Sequence, residues 1–351
     1  STGSIPFMHV VDSQMLAFNQ GVTRRGAYAA YMDISHPEVE EFIAMRKTTG
    51  GDLNRKCLNL HNGINITDAF LEAVRKDEEW RLIDPKTNAA IKVVSARDLW
   101  WSLIHTRAET GEPYIVNIDR CNESLPATQK NMGLKVHQSN LCSEITLATD
   151  EERTAVCCLS SVNLEYMDEW RQITSFIPDL VIMLDNIIQH FIDNAAIELP
   201  DPYFLMPNSL EEFKTYVKKE QEGFAKAAYS AFRERALGIG AMGFHSYLQR
   251  NDIPYESVYA ASFNNRAFKY IKEAAFLASL DLGKKRGEAP DMLGTGLRNS
   301  HLLAIAPNAS SSIICGGTSP SIEPSRANVY THKTLSGSFK VKNKYLEQLL
   351  E

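Results

Sequence analysis

The sequence predicts an α/β fold, and three stretches predict it. Ser95 can cap a helix whose apolar residues Leu99, Trp100, Leu103 and Ile104 recur at helical spacing up to Gly111, and the β-rich run Tyr114 to Ile118 (YIVNI) follows. Cys157 to Leu164 (CCLSSVNL) reads as a second strand, and a long apolar helix over Pro178 to Asn194 comes after it. Leu302 to Ala306 (LLAIA) reads as a short buried strand that opens into a loop of small residues. Helix, glycine and short apolar strand in succession is the rhythm of an α/β protein.

The other elements follow in chain order. His36 to Lys47 (HPEVEEFIAMRK) carries Val39, Phe42, Ile43 and Met45 at roughly helical spacing, with Pro37 tolerated in the first turn. Thr67 can cap a helix through Ala69, Phe70, Leu71 and Val74. Pro200, Pro202 and Pro207 break the chain, and Ser209 is expected to cap a polar helix (SLEEFKTYVKKEQEGF). A surface excursion is therefore expected at 196–224. A further helix is expected from Ser262 to Leu280. The basic, polar stretch His332 to Lys344 reads as a solvated face, and KYLEQLLE as the start of a helix. No linker composition divides the chain, so residues 1–351 are expected to form a single domain.

Composition sets the function class. With 351 residues, 44% apolar and 23% charged, the chain is globular and long enough to need no disulfides. A net charge of -6 argues against broad electrostatic binding to nucleic acid, though it leaves room for a local phosphate site. The longest apolar run, Leu180 to Phe191, is interrupted by Asp185 and His190, so no membrane span is expected. The first residues (STGSIPFMHV) lack the basic and apolar regions of a secretory signal. They begin with serine, which reads as a fragment or processed product. Six cysteines with no CxxC pair and no zinc-spaced cluster point to a reducing, cytoplasmic setting without a structural metal.

Four segments carry chemistry. In Gln138 to Ile145 (QSNLCSEI), Asn140, Cys142 and Glu144 alternate with Leu141 and Ser143. An extended backbone would set them on one face, about 6.5 Å apart, so that an amide, a thiol and a carboxylate share a pocket. The plainer alternative is a buried cysteine with two incidental polar neighbours. Pro307 to Ser312 (PNASSS) could surround an anion after its strand, or be an ordinary turn. Gly238, Gly240 and Gly243 spell GxGxxG, but no clean strand precedes them, and close helix packing accounts for the glycines. In Gly21 to Gly26 (GVTRRG), Arg24 and Arg25 could reach phosphate or base atoms, or form a solvated basic turn.

QSNLCSEI resembles the central loop of class I ribonucleotide reductase large subunits. Seven further segments resemble that family in the same order: IPFM at Ile5, GVTRRGAYAAYMDISHPEVEEF at Gly21, TRAETGEPYI at Thr106, AVCCLSSVNL at Ala155, RALGIGAMGF at Arg235, GLRNSHLLAIAPNASSS at Gly296 and IEPSRANVY at Ile322. The resemblance covers essentially the whole chain. It implies a ten-stranded α/β barrel, truncated at both ends, and the radical reduction of ribonucleoside diphosphates to deoxyribonucleotides.

Residue roles follow from the same resemblance. Cys142 would form a thiyl radical and take the 3′-hydrogen, Glu144 would accept the 3′-hydroxyl proton, and Asn140 would hold that hydroxyl. Ser139, Leu141 and Ser143 would complete the substrate wall. Cys157 would be the second thiol of the reducing pair, whose first member falls before residue 1, and Cys158 would be structural. Pro307, Asn308, Ala309, Ser310 and Ser311 would hold the substrate diphosphate, and Arg24 and Arg25 would lie on the effector loop. The chain would bind no cofactor directly. Its radical would come from a metal-containing small subunit, with dNTP or ATP as effectors. Complementary large-subunit segments, a thioredoxin- or glutaredoxin-type reductant and a second copy of the chain would be its partners. The other reading is a catalytically incomplete nucleotide-binding or assembly module from a split or decayed reductase. The NLCSE form of the loop fits the small-subunit-dependent class better than an adenosylcobalamin-dependent relative.

Overall fold

Thr67 and Ser95 act as their positions suggest. The Thr67 hydroxyl accepts from Phe70 N and starts the helix Asp68–Lys76, and Ser95 accepts from Asp98 N and starts Ala96–Thr110. Gly111, in the left-handed conformation, ends the second helix. A computed structural model describes residues 3–20, 24–195, 207–334 and 337–351. They form two compact units. One comprises Ser1–Leu125 with Val136–Leu147, the other Pro126–Lys135 with Ala148–Glu351.

The first unit is built on three parallel strands in the order Ala29–Asp33, His61–Ile66 and Tyr114–Asn117. Alternation divides their side chains between two faces. Met32, Ile64 and Ile66 point to one face and join a core with Val39, Phe42 and Ile43 from the helix Val39–Ala44, and with Phe70, Leu99 and Leu103. Phe42, Ile43, Phe70 and Leu103 are fully buried, and each such side chain contributes about 1.5–3 kcal/mol relative to exposure. The opposite face carries Tyr31, Asp33, Gly63, Asn65 and Tyr114. The register places Tyr31, Gly63 and Tyr114 in one row across the sheet. An antiparallel hairpin, Glu79–Ile83 with Ala90–Ser95, also belongs to this unit.

The second unit pairs Leu159–Asn163 with Gly238–Met242 in parallel, and Leu303 bridges Ile239 on the far side. The helix Phe176–Ala195 packs against both Val258–Arg286 and Ala225–Glu234, and buried side chains of all three share one core with this sheet. Two buried carboxylates tie its segments together. Asp185 is bonded by Arg235 Nε at 2.8 Å and Arg286 Nη1 at 2.8 Å, with Arg298 Nε at 3.4 Å. Asp291 receives Arg153 and Arg233. These guanidinium groups hold both carboxyls below their ordinary range against the opposing effect of burial.

The α/β class stands, but the described strands do not close a ten-stranded barrel. They form one three-stranded and one two-stranded parallel sheet, with three short antiparallel pairs. Leu302 to Ala306 makes a single bridge, Leu303 to Ile239, rather than a strand, and Gly240 lets its backbone come close, since a Cβ there would sit 2.5 Å from Ala304 O. The GxGxxG glycines thus serve strand packing rather than helix packing: Gly238 and Gly240 lie within the strand itself. The polar helix after Ser209 stops at Lys214, and a 3-10 helix, Lys219–Phe224, follows. Between them the chain turns so that Lys218 N bonds Ala195 O. Of the expected excursion, residues 196–206 lie outside the described residues, while Leu210, Phe213 and Val217 are buried. The stretch expected as a solvated face pairs as a hairpin, Val329–Thr334 with Gly337–Lys342.

Candidate active site

The polar face of the first sheet receives the segment that carries Asn140, Cys142 and Glu144. Asn65 Nδ2 donates to His137 O at 2.8 Å and to Asp33 Oδ1 at 2.9 Å. Three residues on, the Tyr31 hydroxyl donates to Asn140 O at 2.5 Å. Ser139 Oγ donates to Ile145 O at 2.7 Å, and the Asn140 side-chain oxygen accepts from Ile145 N at 3.2 Å. Both ends of the loop are thereby drawn together.

The segment is not the strand that its alternation suggests. Ser143 N donates to Asn140 O at 3.2 Å, closing a turn with Cys142 at its tip, and Ser143 has φ +67°. Asn and Ser side chains offer the backbone local partners, and here these outweigh the alternating pattern. The turn brings two of the three groups, Cys142 and Glu144, near one phenol. Cys142 is exposed, Leu141 and Glu144 are half-buried, and negative charge on Glu144 or Cys142 acts on the same Tyr31 phenol. Glu144 Oε2 is buried and has no hydrogen-bond partner. An unpaired buried carboxylate oxygen costs free energy, and an incoming hydroxyl donor would satisfy it.

Burial pushes the Tyr31 phenol above its ordinary pKa, and the negative charges nearby add to this while Ser143 and Ser139 oppose it. Burial, then Glu112, pushes Tyr114 the same way. Both phenols therefore stay protonated donors at neutral pH. Tyr31, Gly63 and Asn65 were not singled out from sequence. The available signal was polar Tyr31 and Asp33 alternating with apolar Met32, beside Gly63 and Asn65 alternating with Ile64 and Ile66.

In the second unit Cys157 is exposed and borders a cavity of about 350 Å³ that Ile187, Phe191 and Glu234 also line. Cys158 is buried, donates to Leu184 O at 3.5 Å, and is pushed by burial to about 11. Burial and neighbouring Asp291 raise Glu234 to about 8.

The PNASSS loop divides in two. Asn308 is buried, donating to Ala241 O and Ala306 O and accepting from Ser311 Oγ at 3.0 Å. Pro307, Ala309 and Ser310 instead line a cavity of about 640 Å³. Asn308 and Ser311 therefore brace the loop, and Ser310 offers the exposed hydroxyl. Arg24–Arg25 pairs with Asn19–Gln20, Arg25 is exposed, and 21–23 of the expected effector loop lie outside the described residues. Among the described residues no three His, Cys, Asp or Glu side chains gather as a metal site. No described helix is long and apolar enough to cross a membrane.

The family model described as "Ribonucleotide reductase, barrel domain" matches residues 1–295 and 291–351, and so runs through both units. The chain belongs to the ribonucleotide reductase family. A putative ribonucleoside-diphosphate reductase large subunit of Frog virus 3 (isolate Goorha) is 50% identical over 351 residues, covering 100% of this chain and 58% of that protein. The ribonucleoside-diphosphate reductase large subunit of Invertebrate iridescent virus 3 is 44% identical, covering 100% and 60%. Among solved structures, the class Id ribonucleotide reductase alpha subunit of Actinobacillus ureae superposes with a TM-score of 0.78 at 33% identity, covering 100% of this chain and 56% of that one. The chain thus spans less than two thirds of the length of these ribonucleotide reductase relatives.

Proposed function

We propose that the chain is the central part of a class I ribonucleoside-diphosphate reductase large subunit, and that both units belong to one catalytic barrel domain. One observation carries the reading: an exposed thiol at the tip of a turn, flanked by the Asn140 amide and by a half-buried carboxylate with an unsatisfied oxygen.

In this reading Cys142 acts as a thiyl radical. Its S–H bond forms as the substrate C3′–H bond breaks. Glu144 takes the 3′-hydroxyl proton and Asn140 holds that oxygen. The 2′-hydroxyl, protonated by a thiol of the reducing pair, leaves as water. The pair, with Cys157 as one member, supplies two electrons and a second hydrogen that forms the new C2′–H bond, closing to a disulfide, and Glu144 returns its proton to the 3′-oxygen. Cys142 returns its hydrogen atom to C3′ and becomes a radical again, and a thioredoxin- or glutaredoxin-type dithiol reopens the disulfide. Ser310, with Pro307 and Ala309 beside it, faces the diphosphate, while Asn308 and Ser311 hold the loop. Arg24 and Arg25 serve the effector loop, which answers to dNTP or ATP. The radical comes from a metal-containing small subunit, and the large subunit works as a homodimer in the cytoplasm.

The test is to join the chain with its complementary large-subunit segments, add small subunit and dithiol reductant, and measure deoxynucleotide formation. Product is expected from the wild type and none from Cys142→Ser. Full product from Cys142→Ser would overturn the assignment. Binding of nucleoside diphosphate without turnover would favour the incomplete binding or assembly module.

A further inference from the structure

We infer that Tyr31 is a positioning residue for Cys142, its phenol fixing the turn on which the thiol is carried. The catalytic part of this inference rests on the reading of Cys142 given above; the mechanical part does not.

The turn is held at both of its closing residues by one side chain. Tyr31 donates to Asn140 O at 2.5 Å, and its oxygen lies 3.5 Å from Ser143 Oγ. Asn140 O also accepts the turn's own bond from Ser143 N. The turn needs such support, because Ser143 sits at φ +67°, in the left-handed region that a residue with a Cβ rarely adopts. Conformations of this kind persist where the surroundings over-determine them.

The ring has a place prepared for it. Gly63 is the register partner of Tyr31 on the next strand, and a Cβ there would lie 2.4 Å from Tyr31 Cε1. Any side chain at 63 would push the ring off the sheet and the hydroxyl off Asn140. The strand otherwise continues in buried residues, so the gap at 63 is filled by a neighbour's ring. The phenol is half-buried and remains a donor, so the contact is kept at neutral pH. Rigid placement of a reacting group to within a fraction of an ångström is what such a device provides.

The test uses Tyr31→Phe, which keeps the ring and removes the hydroxyl. In the chain itself, alkylation of each cysteine by iodoacetamide is followed by mass spectrometry. Cys142 is expected to react at least threefold faster than in the wild type, with Cys315, another exposed thiol, unchanged and the melting temperature within about 2 °C. Gly63→Ala, which displaces the ring from the other side, should give the same selective acceleration. Equal Cys142 rates in wild type and Tyr31→Phe would overturn the inference.

In the complete enzyme, Tyr31→Phe is expected to lower kcat at least tenfold with KM for the diphosphate within twofold, and an unchanged kcat would overturn the catalytic part. Failure of the parent reading looks different: Cys142→Ser would keep full turnover while the alkylation result stood.

Discussion

Asp185 and one oxygen of Glu144 are withdrawn from water, each in its own unit, and the protein treats them in opposite ways. Asp185 is fully buried and met by Arg235, Arg286, Arg298 and Asn299. Glu144 keeps a buried oxygen with no partner. A charge that serves the fold is completed by the fold, because a buried ion left alone costs several kcal/mol. A carboxylate left incomplete beside an exposed thiol is available to something from outside.

Substitution should separate the two. Asp185→Ala leaves Arg235 buried without its anion, and it is expected to cost about 3–5 kcal/mol in denaturant unfolding. Glu144→Gln is expected to leave that midpoint almost unmoved while lowering turnover of the complemented enzyme by about 10²-fold or more, the typical value of a general base. Equal losses of stability in the two variants would erase the distinction.

A third carboxyl sharpens the comparison through pH. Glu234 is fully buried, and its folded pKa is raised to about 8. Its contribution to stability is present below the unfolded pKa, near 4.5, and is lost as pH rises toward 8. Asp185, held low, contributes in the opposite sense: its share is present at neutral pH and fades as acid protonates it. Glu234→Gln should flatten the wild-type decline by up to about 1.4 kcal/mol per pH unit between pH 5 and 8, read from unfolding curves across that range. The smallest expected effect is at a helix end. Ser95→Ala should cost about 1 kcal/mol by removing the acceptor for Asp98 N, and thermal unfolding will measure it.

Much of the fold was legible because it rests on local signals. Thr67, Ser95 and Ser209 cap where their side chains can reach an amide three residues on, and Tyr114–Asn117 is a strand because β-branched residues suit a pleat, while Ile118, expected to close it, begins the helix Ile118–Glu123. Val258–Arg286 outran its expected ends, because Ser257 caps it and the last turn carries Lys284, Lys285 and Arg286. The conformation of the candidate segment was not legible. The alternation of Asn140, Cys142 and Glu144 implied a strand, and the structure carries them on a turn. The turn is decided by Tyr31 and Asn65, more than seventy residues away, and no local pattern encodes that. Gly63 is silent in the sequence for the same reason: its meaning lies in a ring on another strand.

The Asp185 cluster has a consequence for biosynthesis. The carboxylate lies on the helix Phe176–Ala195, while its cations arrive 50, 101 and 113 residues later along the chain. As the polypeptide leaves the ribosome, burial of that helix before Arg235 has emerged would strand a lone anion in an apolar interior, and the full set of cations is assembled only with Arg298. A nascent chain halted before residue 235 would therefore keep the helix in contact with solvent, and the cluster closes only when residue 298 has followed.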